Sequence, residues 1–523
     1  MMKRIPLAAL LLAATLAAPG AASAAPAAAP AVPGEAAVKA AKHAASAYRT
    51  DVVDLLAKLV SYNTVADKDM PCDRNPTHQA FKDVLKQEAG RMGLDFADHG
   101  CVVVIGLGQG EDKVGLVAHG DVQPVDPSKW KKSPFELDRT SEPGKLLARG
   151  AEDDKGPIAT ALYAMKSLKD LQLPLSKRIE LYVYMAEESD WEALEQFVKT
   201  HPLPQVNITL DAEYPAVTAE KGYGTVAVTL PVTAPAAPAE GAGEGAAAGA
   251  AAGDPIIAQF KGGFFGSQIP EDAQARIANA TPALEARIRQ RGAKQSGMQY
   301  AFEWQGGDLL VTAKGVSAHS SKPEDGINAI SMLADALAVQ AWPDSGAGGL
   351  VNFLNEMVGT GHYGEKFGNV AYRDAFMGPM TFAPTVIRQK EEGIELSINI
   401  RRPQGKTAEQ LTNEVNAALA RWQGAHQPLV DARVRIGDPW IQQDAPQLPV
   451  LMGVFSYFTG VKDPKPVAVG GGTNSRLFPR AVSFGPAMPR TVYTGHSEHE
   501  FITVKQLLLN LEMYTAVMAE LAK

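Results

Sequence analysis

The sequence predicts an α/β protein of two domains, a layered first domain interrupted by a smaller α+β domain. Three observations carry this. The chain has 523 residues, more than one ordinary hydrophobic core serves. Short apolar runs rich in β-branched residues alternate with helical periodicity through the first 215 residues, the signature of buried parallel strands and their covering helices. After Pro215 the pattern becomes two-residue alternation with intervening helices, and it reverts only near the C-terminus.

Taken in order, the chain opens with Lys3 and Arg4, an apolar stretch to about Pro19, and Ala22-Ser23-Ala24. That is the layout of an export signal over 1–24, so the protein is expected in the periplasm or secreted. The Ala/Pro run over 25–34 is expected to be a disordered leader. Helical periodicity follows over 35–59 and 75–92. Runs at 102–107, 114–118, 179–185 and 206–210 read as buried strands. Between two of them Ile158, Ala161, Leu162, Met165 and Leu168 recur at helical spacing, with Pro157 in the first turn where proline is tolerated. This gives a first-domain segment over 35–215.

The inserted domain is placed at 216–423. Residues 223–232 alternate like a strand, and further strands are expected at 309–315 and 394–400, with helices near 326–340 and 407–422. The Ala/Gly/Pro tract at 234–253 has no aromatic residue and cannot bury a core, so it is expected to be a disordered insertion. The segment 424–523 returns to the first domain, through a strand at 467–469 and a helix over 504–521. Some 200 residues lie in this insertion.

The formal charge is −8, which argues against nucleic acid as a partner, because phosphate binding requires a basic surface. No long apolar run occurs beyond the N-terminus, so no stable membrane association is expected. There are two cysteines, Cys72 and Cys101, too few for a cysteine-rich zinc site. Export places them where a disulfide persists, and a bridge and two free thiols both fit the sequence.

Three predicted strands run into ligand-type residues: His119-Gly120-Asp121, Glu187-Glu188 and Asp211. Ligands in open α/β sheets bind beyond the carboxyl ends of the strands, so His, Glu and Asp delivered there form one constellation. Any of these acids alone would read as a cap or a solvated turn. Glu152-Asp153-Asp154, on a glycine-bounded loop before the Pro157 helix, adds carboxylates of the kind a bridging ligand needs. Gly495-His496-Ser497-Glu498-His499-Glu500 adds a histidine-rich turn. Histidine and carboxylate ligands suit zinc, and two such ions ~3.5–4 Å apart clamp a water against a polarised carbonyl. Adjacent Glu187 and Glu188 fit a division into base and ligand. Alternation places Arg401 on the polar face of its strand, where a guanidinium fork suits a carboxylate; Arg402 has the opposite parity.

His119-Gly120-Asp121-Val122-Gln123-Pro124-Val125, Ala148-Arg149-Gly150, Asp153-Asp154-Lys155-Gly156 and Glu187-Glu188 resemble the di-zinc metallopeptidase family of aminoacylase, carboxypeptidase G, acetylornithine deacetylase and succinyl-diaminopimelate desuccinylase. Leu210-Asp211-Ala212-Glu213-Tyr214-Pro215 and Gly470-Gly471-Gly472-Thr473 look closest to its dipeptidase branch, the PepV-type and carnosinase-like enzymes. The resemblance implies a phosphorylase/hydrolase-like zinc-peptidase catalytic domain with an inserted α+β lid. It also implies that an insertion of some 200 residues makes the protein a monomer with its lid supplied in one chain. It implies two Zn²⁺ per chain, with Mn²⁺ or Co²⁺ as substitutes, and a small peptide as substrate. His119, Asp153 and Asp211 would hold one ion, and Asp153, Glu188 and His496 the other. Asp153 is preferred to Asp154, and His496 to His499, on spacing from Lys155 and Glu500. Glu187 would be the general base, Asp121 would orient His119, and His319, in Lys314-Gly315-Val316-Ser317-Ala318-His319-Ser320-Ser321, would donate to the oxyanion. Arg401, Gly471, Gly472 and Thr473 would bind the substrate carboxylate. Ser267 departs from the branch, which often has Asn near that point. The expected reaction is hydrolysis of dipeptides or short peptides with a free C-terminal carboxylate. N-acyl amino-acid deacylation or carboxypeptidase action on the same centre, and an inactive peptide binder, are the rivals.

Overall fold

The computed structural model describes residues 30–232, 253–343 and 346–523. The expected signal at 1–24, half of the leader at 25–34 and all but Gly253 of the tract at 234–253 lie outside them. No helix among the described residues is long and apolar enough to cross a membrane.

Two sheets organise the molecule. The first has the order Asp95–Asp98, Val102–Leu107, Arg178–Tyr184, Lys113–His119, Val206–Thr209, Val482–Ser483, Val217–Glu220, Trp440–Ile441, and Val467–Val469 also pairs with Val217–Glu220. Its centre is parallel: Lys113–His119 lies between Arg178–Tyr184 and Val206–Thr209. These strands are buried on both faces, which is why they read as continuous apolar runs rather than alternation. Helices Lys155–Asp170 and Val504–Ala522 pack against each other and against this sheet, with Glu35–Ala47 laid on Val504–Ala522. The helical stretch expected at 35–59 is two helices, Glu35–Ala47 and Arg49–Val60, broken at Tyr48. The Tyr48 ring turns inward there, against Tyr163, and its hydroxyl donates to Asp170.

The second sheet is antiparallel throughout, in the order Gln299–Gln305, Asp308–Lys314, Asp272–Ala278, Ile256–Gly262, Thr381–Gln389, Gly393–Arg402, Gly222–Pro231, Asp431–Ile436. It has a separate hydrophobic core under helices Pro282–Gly292, Ala329–Leu337, Gly346–Phe353 and Ala408–Ala425. Asn328 caps Ala329–Leu337 by accepting from the Ile330 and Ser331 amides. Thr407 and Gln410 close a capping box on Ala408–Ala425.

The chain crosses between sheets later than 215 and 423. Val217–Glu220 finds partners in the first sheet, so only Lys221 separates it from lid strand Gly222–Pro231. On the return Asp431–Ile436 extends the lid sheet before Trp440–Ile441 rejoins the first. The displacement has one cause: each of these segments satisfies its backbone groups by pairing with the strand beside it. The two crossings touch. The Gly437 amide donates to the Tyr223 carbonyl at 2.8 Å, and a Cβ on Gly222 would fall 2.2 Å from the Gly437 oxygen, so that position must be glycine.

Candidate metal centre

Strand register alone brings the first ligands together. His119 ends its strand opposite Tyr184, and Glu187 lies three residues beyond Tyr184. Thr209 pairs with Val117, so Asp211, two residues on, reaches the level of His119. Neighbouring strands lie ~4.8 Å apart, close enough for these side chains to share an ion. His119, Glu187 and Asp211 form one group that could hold a metal, and His119, Asp153 and Glu188 form another.

His119 Nδ1 lies 3.0 Å from the Asp121 carbonyl, an acceptor, so Nδ1 carries the proton and Nε2 faces the acids. Nε2 is 2.8 Å from Asp153 Oδ1 and 3.8 Å from Asp211 Oδ2. Asp153 Oδ2 is 3.3 Å from His496 Nε2 and accepts from the Tyr493 hydroxyl at 2.6 Å. Asp153 thus lies between the two histidines. His496 Nε2 is also 2.9 Å from Glu188 Oε1, whose second oxygen accepts from Gln123 at 2.8 Å.

The neighbours in sequence separate cleanly. Asp154 turns away from Asp153 and accepts the His119 amide at 3.1 Å. His499 has a side chain 52% exposed and pairs with Glu142, whereas that of His496 is 8% exposed. Arg402 is taken up by the Gly437 and Lys406 carbonyls and by Asp438. Asp121 meets His119 Nδ1 through its main-chain carbonyl, with its carboxylate 3.5 Å away, and that carboxylate accepts the Glu187 amide at 2.9 Å and the Glu188 amide at 3.0 Å, fixing the turn that aims both acids.

The electrostatics show a cluster short of positive charge. Burial, followed by the charge of Asp211, pushes Glu187 well above the carboxylate range, and burial and Asp153 do the same to Asp211. Burial works against a charged His119 and His496, yet hydrogen bonds to Asp121 and Asp153 hold His119 well above the imidazole range. The charge of Glu188 takes His496 up to about 10. Protons are recruited where divalent cations would serve. Glu187 Oε1 is buried with no partner among the described residues. The donor set therefore fits two divalent ions, and its histidine and carboxylate composition suits zinc.

The lid reaches this cluster. The His319 ring lies 4.6 Å from that of His496, tilted 46° to it. The Ser321 amide donates to His319 Nδ1 at 3.1 Å, so the neutral ring carries its proton on Nε2. Burial, with His496 and Arg401 beside it, keeps His319 well below the imidazole range, hence neutral. Arg401 is 4% exposed and donates only to neutral groups, Asn399 Oδ1 at 3.1 Å and Ser320 Oγ at 3.3 Å; burial lowers it to about 10. Ser267 contributes its carbonyl, which accepts the Ser320 amide at 2.8 Å. Gly471, Gly472 and Thr473 line a cavity of about 90 Å³ together with Asp153, Glu187, Glu188, Asp211, His319 and His496. A side chain at Gly471 would meet open space, whereas one at Gly470 would strike Ser321 of the lid. Lys322 of the lid pairs with Glu213 at 2.9 Å across the mouth.

Three participants carry no isolated sequence signal. Tyr493 lies two residues before the Gly495–Glu500 turn, outside every motif the sequence offers. Gln123 is part of the first motif but has no metal-ligand chemistry. Glu500 served only to set spacing, yet its carboxylate accepts from Arg149, Gly150, Glu152 and Asp153 and so builds the loop that holds Asp153.

A family model described as Peptidase family M20/M25/M40 matches residues 115–520. The putative dipeptidase YtjP of Bacillus subtilis (strain 168) is 29% identical over 432 residues, 82% of this chain and 86% of that protein. The Beta-Ala-Xaa dipeptidase of Lactobacillus delbrueckii subsp. lactis is 27% identical over 496 residues, 92% of this chain and 98% of that protein. Human carnosine dipeptidase 1 superposes with a TM-score of 0.56 at 14% identity, over 94% of this chain and 99% of that one, a likeness of fold.

Proposed function

The chain belongs to peptidase family M20/M25/M40, dipeptidase branch, and as a metallopeptidase of that family we propose that it hydrolyses dipeptides and other short peptides with a free C-terminal carboxylate. The observation that carries the substrate reading is Arg401. Its guanidinium is buried beside the metal cluster, and among the described residues no carboxylate lies within ion-pair distance. Burying an unpaired charge costs several kcal/mol, a cost a ligand carboxylate offsets. The open glycine at 471 leaves room for that carboxylate and for backbone donors to approach it.

His119, Asp153 and Asp211 would hold one ion and Asp153, Glu188 and His496 the other. Bound there, the ions supply Lewis-acid charge that polarises the scissile carbonyl and acidifies the attacking water. Glu187 takes the proton from that water and returns it to the leaving amine, a task its position against His119 and Asp211 and its unpartnered buried oxygen support. His319 Nε2 donates to the oxygen that becomes anionic. The lid excludes bulk water while this happens. We place the protein outside the cytoplasm, a reading supported by the N-terminal segment and by the Cys72–Cys101 bond.

The test compares a dipeptide, its C-terminal methyl ester and the corresponding N-acetyl amino acid on zinc-loaded protein. The free dipeptide is expected to give the highest kcat/KM, with the ester at least tenfold poorer. Equal cleavage of acid and ester overturns the Arg401 reading, and preference for the N-acetyl amino acid makes the protein a deacylase.

A further inference from the structure

The turn that carries His496 delivers a second group to the same oxygen. The Tyr493 hydroxyl donates to Asp153 Oδ2 at 2.6 Å, and His496 Nε2 lies 3.3 Å from that atom. A phenol facing a carboxylate can only donate, so the direction of this bond is unambiguous. The arrangement is built in. The Tyr493 ring folds over Gly495 so closely that a Cβ there would fall 2.3 Å from its hydroxyl oxygen. Between them Thr494 gives both its amide and its hydroxyl to the buried Glu152 carboxylate, at 2.8 and 2.7 Å. His496 closes the turn with φ of +66°, a conformation non-glycine residues seldom adopt.

We propose that Tyr493 is a positioning residue for the metal centre: it fixes the plane of the Asp153 carboxylate so that its two oxygens face two different ions. This rests on Asp153 being the bridge. A bridging carboxylate must present both oxygens in one orientation, and a terminal carboxylate torsion is otherwise broad and soft. Glu500 holds the Asp153 amide and His119 faces Oδ1, but among the described residues only Tyr493 donates to Oδ2 without itself being a proposed ligand. The hydroxyl is neutral, so it orients the carboxylate without cancelling the charge that binds the ion. The same ring lies edge-on to His319, 6.0 Å away at 70°, and lines the cavity, which ties the bridge to the lid group above it.

The experiment uses the full chain and Tyr493→Phe, which keeps the ring over Gly495 and removes only the hydroxyl. Zinc affinity is measured by competition with a chromogenic chelator. Losing such a supporting bond weakens metal affinity by about 10–100-fold. The zinc concentration giving half-maximal turnover is expected to rise by the same factor, and excess zinc to restore turnover. Unchanged zinc affinity overturns the proposal, as does a loss of turnover that excess zinc leaves in place, because the phenol would then act on substrate. Asp153→Asn is titrated in parallel. If it retains two zinc ions at wild-type affinity, the bridge reading itself has failed; if it loses zinc while Tyr493→Phe does not, only the role of Tyr493 has.

Discussion

Glu500→Gln isolates the contribution of one buried carboxylate to the whole centre. Both oxygens of Glu500 are fully used: Oε2 accepts from Arg149 at 2.7 Å and from the Gly150 amide at 3.1 Å, and Oε1 from the Glu152 and Asp153 amides at 2.9 and 3.1 Å. Its side chain is fully buried and that of Arg149 is 1% exposed. Glutamine has the same shape, but its amide nitrogen would face two donors and its neutral head would leave the Arg149 charge unpaired. Removing one partner of a buried ion pair costs about 3–5 kcal/mol, against about 1 kcal/mol for an ordinary hydrogen bond. The expected result is a loss of about 3 kcal/mol or more in denaturant unfolding of the metal-free protein, with weakened zinc binding because the Asp153 loop loses its tether. Glu498→Gln is the control. Glu498 accepts from Trp130 and Asp126 at the rim of the domain, and its loss should cost about 1 kcal/mol. A Glu500→Gln protein within about 0.5 kcal/mol of wild type, binding zinc normally, would refute the account of the loop.

Four further outcomes are expected. Glu187→Ala should abolish turnover with two metal ions per chain retained by elemental analysis; because Glu187 also lies in the His119–Asp211 group, loss of one ion would make it a ligand. Asp153→Ala should lose metal more severely than Asp154→Ala, whose carboxylate caps the His119 amide, and the reverse order in a zinc titration would contradict the geometry. In steady-state kinetics His319→Ala should lower kcat by about a hundredfold or more, from about 2.7–4 kcal/mol of lost oxyanion stabilisation, whereas Arg401→Ala should raise KM for free-acid substrates. Replacing Cys72 and Cys101 by Ser should reduce unfolding stability by about 3–4 kcal/mol, the chain-entropy value for a bridge across 29 residues; equal stability of the two proteins would show that the bond constrains little.

What the sequence discloses is whatever repeats along the chain. Parallel strands buried on both faces leave continuous runs, so the strands leading to His119, Glu187 and Asp211 were legible, and the convergence of those residues follows from strand adjacency. The helices expected over 75–92 and 407–422 begin, in the structure, at the residues that cap them, Asn75 and Thr407. Lid strand Gln299–Gln305 does alternate, with Tyr300, Phe302 and Trp304 on one face and Gln299, Ala301, Glu303 and Gln305 on the other, so its two-residue pattern is legible in the sequence although no strand was expected there. The crossing points were misjudged because a two-residue pattern says that a segment is a strand, not which sheet it joins. Tyr493, Gln123 and Glu500 act through partners remote in sequence, Tyr493 on Asp153 across 340 positions, and no local pattern encodes such a pairing.

The Arg401–Ser320 hydrogen bond makes a caliper of the lid. Both jaws belong to the inserted domain: Arg401 is the next-to-last residue of its strand Gly393–Arg402, and Ser320 directly follows His319. Their separation is therefore set by packing within the lid. A peptide gripped by its terminal carboxylate at one jaw presents to the other only the carbonyl that lies at one fixed remove. An extended residue spans about 3.3–3.6 Å, so a chain longer by one residue on that side puts the wrong bond under the histidine. On the proposed reading, counting from the C-terminus would thus be a property of the lid, and the metal centre would cut the bond that the caliper brings to it.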